Sequence, residues 1–365
     1  MKYCTRCIMP ESKPDLWFDE RGVCSACLNY EKRVEVDWRK REEELIELID
    51  KNRGVYDCII PVSGGKDSTY QVIQILSMGF RPLCVTATTC DLSSIGRRNI
   101  ANIQSMGVDY IEWTTNRRVR KVLNRAGLAV VGDISYPEHV SIFTIPVRTA
   151  VNYKTPLIIW GENSQNEYGG PAMDSESPIL NRRWLEEFGG LNGLRVTDLV
   201  GYDGITERDL IPYIYPTDEE LSAVGVTGLF LGHFVQWDGM QNADIALRNG
   251  FTFYNGFVEG SCVAYENLDN YQTGIHDWFK FLKFGFGRAT DLLSIDIRRN
   301  RITRKDAIEI ARKRDGAFPE SYLGKPLDDI LSDIDMTRDE FLKIAHKFRN
   351  KRLVDENFKL CSPIE

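Results

Sequence analysis

The chain has no apolar run near the roughly 20 residues that a membrane-spanning helix requires. Its opening, MKYCTRCIMPE, sets no apolar stretch behind the lysine, so a secretory leader is not expected and the protein reads as cytoplasmic. Histidine is scarce, with four in 365 residues (His139, His233, His276 and His346). None falls in a metal-like cluster along the sequence, and no Ser/His/Asp arrangement is evident. His233, in GLFLGHFVQWDG, reads as a satisfied core residue. An excess of positive charge is also missing: 46 Lys and Arg against 53 Asp and Glu leave −7. Broad, non-specific binding to nucleic acid relies on neutralising many phosphates, and this balance argues against it. There is no internal repeat and no long low-complexity tract. What remains, 42% hydrophobic and 27% charged residues, is the composition of a soluble globular protein, and 365 residues are enough for two unequal cores.

Cysteine, by contrast, is abundant, at nine residues. Five are scattered, mostly in apolar runs, and read as small core residues. The other four form two knuckles, Cys4-Thr5-Arg6-Cys7 and Cys24-Ser25-Ala26-Cys27, with sixteen residues between them. In a reducing compartment paired cysteines point to metal or redox chemistry rather than disulfides. This spacing suits tetrahedral Zn²⁺ held by four thiolates, each knuckle chelating through one tight turn. Four protein ligands leave no position for water, so the zinc is expected to be structural. So short a segment has little core of its own, and the metal would supply most of its folding energy. Asp37 is placed to cap a charged helix running to about Lys51.

From residue 56 the pattern alternates strand and helix. Apolar strands are expected at 57–62, 82–86, 110–113 and 156–160, with helices at 66–78, 94–106, near 117–125 and near 141–153. Buried strands separated by helices predict an α/β fold, a parallel sheet with helices on both faces. Residues 161–275 are rich in glycine and aromatics, with a further strand expected from Thr227, and the last ninety residues are helical. Three parts are therefore expected: a cysteine unit over 1–36, an α/β domain over 37–235, and a mainly helical region over 236–365 that meets substrate or partner. A basic run lies in the last, where 276–314 hold eleven Lys or Arg against five carboxylates. It reads either as a solvated helix face or as a site for a phosphorylated substrate.

The first strand ends in IIPVSGGKDSTY, residues 59–70. Two glycines where a strand passes to its helix let the backbone take positive φ and approach a ligand closely. The helix N-terminus attracts an anion, Ser63 and Ser68 add hydroxyls, Lys66 adds a positive charge, and Asp67 can hold Mg²⁺. The spacing is not that of a Walker A loop, which needs four residues between its first Gly and Gly-Lys. Ser63-Gly64-Gly65-Lys66-Asp67-Ser68 instead resembles the PP-loop of ATP pyrophosphatases, which cleave ATP between its α and β phosphates and share an adenine nucleotide alpha hydrolase-like fold.

The cysteine unit ahead of the loop, the opening MKYCTRCIMPES with FDERGVCSAC, the segment IIWGENSQNEYGG and the run KFGFGRATDLLSIDIRRNRITRKDA narrow the resemblance. Over nearly its whole length the chain is similar to the N-acetyl sugar amidotransferases of bacterial surface-polysaccharide biosynthesis. That resemblance implies an enzyme that uses ATP and Mg²⁺ to adenylate the acetamido oxygen of a nucleotide-linked N-acetyl sugar. Ammonia then displaces AMP and leaves an acetamidino group. It implies a partner glutaminase subunit as the ammonia source, sometimes with a cyclase-like subunit. The loop residues 63–68 would hold the nucleotide, with Ala87 and Thr88 beside the adenosine. Lys66, Asp67, Glu162 and Asn163 would serve catalysis, and Arg298, Arg299 and Arg301 would grip the substrate's oxyanions. The alternative is a PP-loop enzyme that thiolates or aminates a tRNA base. The acidic balance and the lack of a central CxxC weigh against it.

Overall fold

The computed structural model describes residues 1–362 and Ile364. A six-stranded sheet organises it: β1 (Cys58–Pro61), β2 (Pro82–Ala87), β3 (Asp109–Trp113), β4 (Leu157–Trp160), β5 (Ile179–Leu180) and β6 (Thr227–Phe230). The strand order is β3-β2-β1-β4-β6-β5. Every pairing is parallel except that of β5 with β6. Alternate residues of the central strands feed two cores. Cys58, Ile60, Cys84, Leu157 and Ile159 face one, with Leu45, Ile49, Val72 and Ile75 from the helices covering that side. Ile59, Leu83, Val85, Ile158 and Trp160 face the other, against Ile145, Val147 and Ala150. A strand apolar on both faces is what a doubly covered parallel sheet requires, so the expected fold class is the one found.

The helices follow their sequence signals with small shifts at the ends. In α1 (Ser25–Arg33) the second cysteine knuckle begins the helix. Asp37 caps α2 (Trp38–Asp50) by accepting from the Lys40 amide at 3.1 Å. The sheet helices are α3 (Lys66–Ser77), α4 (Ser94–Gln104), α5 (Arg117–Val131) and α6 (Tyr136–Tyr153). The last starts five residues earlier than its periodicity suggests. Pro137 sits in its first turn, where the missing N–H costs nothing. The β5 strand, two residues long, carries no readable alternation.

Packing crosses the expected boundaries near 36 and 235. The four knuckle cysteines share one apolar cluster with Phe286 and with Ala289, Leu293, Ala307 and Ala311 of the C-terminal helices Arg288–Arg298 and Arg304–Arg314. The helix Gly239–Arg248 lies on α3. A separate aromatic core holds the C-terminal region, where Trp278 stacks on Phe341 at 5.6 Å.

Strand β1 is flanked by β2 on one side and β4 on the other. The chain runs outward from it in both directions, which opens a crevice beyond the carboxyl ends of the strands at that point. The loop 62–65 sits in this crevice.

Candidate active site

Between β1 and α3 the backbone turns through Gly64 at φ +83°. A Cβ there would come within 3.1 Å of the Ile100 amide and 2.8 Å of its Cγ1, so the position admits only glycine. Gly65 differs from expectation: it is extended, at φ −77° and ψ 168°, and serves as the N-cap of α3. The first amides of α3 have no helical acceptors and carry the positive end of the helix dipole. Two hydroxyls are turned back on the loop, Ser68 Oγ and Thr69 Oγ1 donating to the Gly65 carbonyl at 3.0 and 2.9 Å.

Lys66 is buried at the mouth of this loop, only 4% exposed. Its ammonium pairs with Asp67 and lies 2.8 Å from Glu266 Oε1. Burial alone would strip its proton, but the two carboxylates outweigh burial and hold it charged. Asp67 is fixed from the other side by Asn242, whose Nδ2 donates to Oδ1 at 3.0 Å. Glu266 also takes a charge-assisted hydrogen bond from Arg288. Burial opposes its ionisation, but the Lys66 and Arg288 charges pull its carboxyl down to about 2. Lys66, Asp67, Glu266 and Arg288 line a narrow, partly open cleft together with Glu162, Tyr168, Tyr265 and Arg301.

Glu162 and Asn163 follow β4 and part company. Glu162 faces the cleft. Burial first, and then the negative charge of Asp67, push its carboxyl up to about 7. A carboxyl poised there can exchange a proton at neutral pH. Asn163 turns away. It caps the short helix Ser164–Glu167 through Oδ1, accepting from the Gln165 amide at 3.0 Å, while Nδ2 donates to the carbonyls of Asp174 at 2.7 Å and Ser177 at 3.3 Å. Its amide is fully used in shaping the loop.

The three arginines expected to grip substrate are also separated. Arg301 lines the cleft, paired with Asp238 and with Asp296 at 3.3 Å. Arg299 reaches Asp238 at 2.6 Å and the Trp237 carbonyl, away from the cleft lining. Arg298 is buried, donates to the Glu167 carbonyl at 2.8 Å, and lies close enough to Cys7, Cys24 and Cys27 to feel their charge. At the end of β2, Ala87 packs on the sheet core. Thr88 is engaged with Glu112 and Thr114, each at 3.2 Å. Neither lines the cleft. Glu266, central to the geometry, carries no local signal, whereas Arg288 belongs to the basic run 276–314, one reading of which is a site for a phosphorylated substrate. Arg288 stands in GFGRATD, where a glycine followed by a charged helix start was the available signal.

The four knuckle sulfurs converge, all buried and within 4.8 Å of one another. Cys4 and Cys27 Sγ are 4.0 Å apart and Cys7 and Cys24 Sγ 3.6 Å apart. Zn–S bonds of about 2.3 Å in a tetrahedron put sulfurs about 3.8 Å apart. Amides of Arg6, Cys7 and Cys24 point at Cys4 Sγ at 3.2 to 3.4 Å, as suits a thiolate. The residues fit zinc. A tetrathiolate zinc centre would be doubly negative, and buried Arg298 would be its counter-charge. A second cluster corrects the expectation that no histidines gather: His276 and His139 Nδ1 lie 2.8 and 3.2 Å from the two oxygens of buried Asp133. Asp133 ties the α5–α6 junction to the helix Thr273–Phe284, a contact across 143 residues of sequence.

Residues 252–362 match the family model described as LPS biosynthesis protein WbpG-like, C-terminal domain. That segment supplies Glu266, Arg288 and Arg301. No curated protein matches the chain. Among solved structures, NMN synthetase from Francisella tularensis is similar, at 13% sequence identity and a TM-score of 0.29, covering 59% of this chain and 94% of that chain. No helix among the described residues is long and apolar enough to cross a membrane.

Proposed function

We propose that the protein is an ATP-dependent amidotransferase that converts an acetamido group of a nucleotide-linked sugar into an acetamidino group for surface-polysaccharide synthesis. The observation that carries this reading is Lys66. It stands at the first turn of α3, at the switch point of the sheet, and its cleft is walled on the far side by the segment similar to an LPS-biosynthesis domain. The loop amides, Gly64 and Lys66 offer an ATP polyphosphate the donors and charge it needs. Asp67, a hard oxygen ligand at the mouth of the loop, suits Mg²⁺. That ion, when bound, neutralises the leaving pyrophosphate.

The acetamido oxygen attacks the α-phosphorus and pyrophosphate leaves, aided by Lys66. Ammonia then adds to the adenylated carbon, AMP departs with the oxygen, and the amidine remains. Glu162 takes the proton that the nitrogen must shed. The ammonia source in this reading is a partner glutaminase, with or without a cyclase-like subunit. Burial pushes the thiols of Cys84, Cys90 and Cys262 up to about 12, which is opposite to what a glutaminase nucleophile requires. In the tRNA reading the basic run would form an outer stripe. Instead Lys280, Arg288, Arg298, Arg299, Arg301 and Arg312 all meet internal acceptors.

The test is to incubate the protein with ATP, Mg²⁺, ammonium and a panel of nucleotide-linked N-acetyl sugars. The expected result is AMP and pyrophosphate, with one sugar losing about 1 Da as NH replaces O, and no turnover by Lys66→Ala. Release of ADP, or pyrophosphate release triggered by tRNA alone, refutes the reading.

A further inference from the structure

Lys66 and Arg288 hold one carboxylate between them. Glu266 gives Oε1 to the Lys66 ammonium at 2.8 Å and Oε2 to an Arg288 terminal nitrogen. The two cations come from separate elements, each as the first residue of a helix: Lys66 of α3, and Arg288 of the helix Arg288–Arg298. Arg288 is under-supplied with acceptors. Its Nε is buried with no hydrogen-bond partner, although the residue lines the cleft. A guanidinium presents five N–H donors in a fixed fork, a shape that fits paired phosphate oxygens. One carboxylate, shared with a lysine, leaves that fork partly empty. Gly239 leaves room on one side of the lysine: a Cβ there would approach Lys66 Nζ to 3.4 Å.

We propose that Glu266 stands where a phosphate group binds, and that Arg288 is a second phosphoanhydride-binding residue. Lys66 and Arg288 then form a two-cation clamp, closed across the cleft by the polyphosphate of ATP or the diphosphate of the sugar nucleotide once Glu266 swings aside. The inference rests on reading Lys66 as the lysine that binds ATP, and it deepens that reading. Glu266 competes with the ligand for the same two cations and so sets the affinity of the empty site. Asp67 keeps its hold from Asn242 and stays in place.

Calorimetric titration of MgATP, AMP, inorganic pyrophosphate and UDP-N-acetylglucosamine into the full chain separates the cases. Arg288→Gln is expected to weaken MgATP and pyrophosphate, or the UDP-sugar, by roughly tenfold to a hundredfold, with AMP moved about twofold at most. Arg288→Lys should recover part of the loss. Glu266→Gln is expected to tighten the same ligands several-fold, and Glu266→Asp, with its shorter reach, serves where the glutamine variant does not fold. Unchanged phosphoanhydride binding in Arg288→Gln overturns the clamp, as does a loss equal for AMP and ATP, or weaker binding in both Glu266 variants. If Lys66→Ala binds MgATP as the parent does, the underlying ATP reading fails instead, and the clamp with it.

Discussion

The cysteine unit and the cleft are both built to meet something the chain itself does not supply, but they are assembled in opposite ways. All four sulfurs come from 24 consecutive residues, Cys4 to Cys27, and close on one another completely. The cleft takes Lys66 and Asp67 from one turn, Glu162 from the end of β4, and Glu266, Arg288 and Arg301 from residues a hundred or more positions later. A local site has its geometry written in spacing. A distributed one has it written in the packing of elements, and its charges balance only after those elements meet.

The sharpest way to break this contrast is to strip the cysteine unit. Chelation, or Cys7→Ser, is expected to remove one zinc per chain, measured by elemental analysis, and with it a folding contribution of the size found in zinc peptides, about 10 kcal/mol or more. Because the cluster includes Phe286, Ala289 and Leu293, the loss should also abolish nucleotide binding. Retained ATP affinity in the metal-free chain would show the two sites to be independent.

Glu162→Gln tests the distributed site. With the carboxyl near 7 in the folded protein, kcat/KM measured at constant free ammonia should rise with pH through about 7 as Glu162 loses its proton. The variant should lose that limb and about a hundredfold in rate. Its neighbour offers the matched control. Asn163→Ala removes a cap and two donor bonds, an expected cost of about 1–3 kcal/mol in thermal or denaturant unfolding. Turnover per folded molecule should be retained. A reversed pattern, with Asn163 governing rate and Glu162 governing stability, would undo the assignment.

His233 provides the smallest effect. Burial, then the Arg41 charge beside it, lowers its ring from the ordinary 6.5 to about 4. The unfolded chain therefore binds this proton first, and stability falls as pH drops from about 6.5 toward 4. His233→Gln should flatten that acid-side decline by about a degree or two in Tm, with no change above pH 7.

Local sequence carried much of this structure. Strands apolar on every residue reported burial on both faces, and Asp37 announced α2 by the cap it forms, as Thr217 and Thr337 do for the helices Asp218–Val224 and Arg338–Phe348. The loop and the knuckles were legible because their chemistry depends on neighbours in the chain. The partners of the basic run were not. Whether Arg298 meets a substrate or a cysteine cage depends on contacts such as its bond to Glu167, 131 residues away. Periodicity carries no trace of such distances. Glu162 and Asn163 stood equal in the sequence for the same reason, and only the carbonyls of Asp174 and Ser177 decide between them.

The helix that carries Arg288 begins beside the lining of the cysteine cage and leans on it through Ala289 and Leu293. The wall of the cleft that carries Arg288 is therefore seated on the fold of the first thirty residues. If zinc draws those sulfurs together as proposed, a shortage of the ion would lower the number of copies in which Arg288 reaches the cleft.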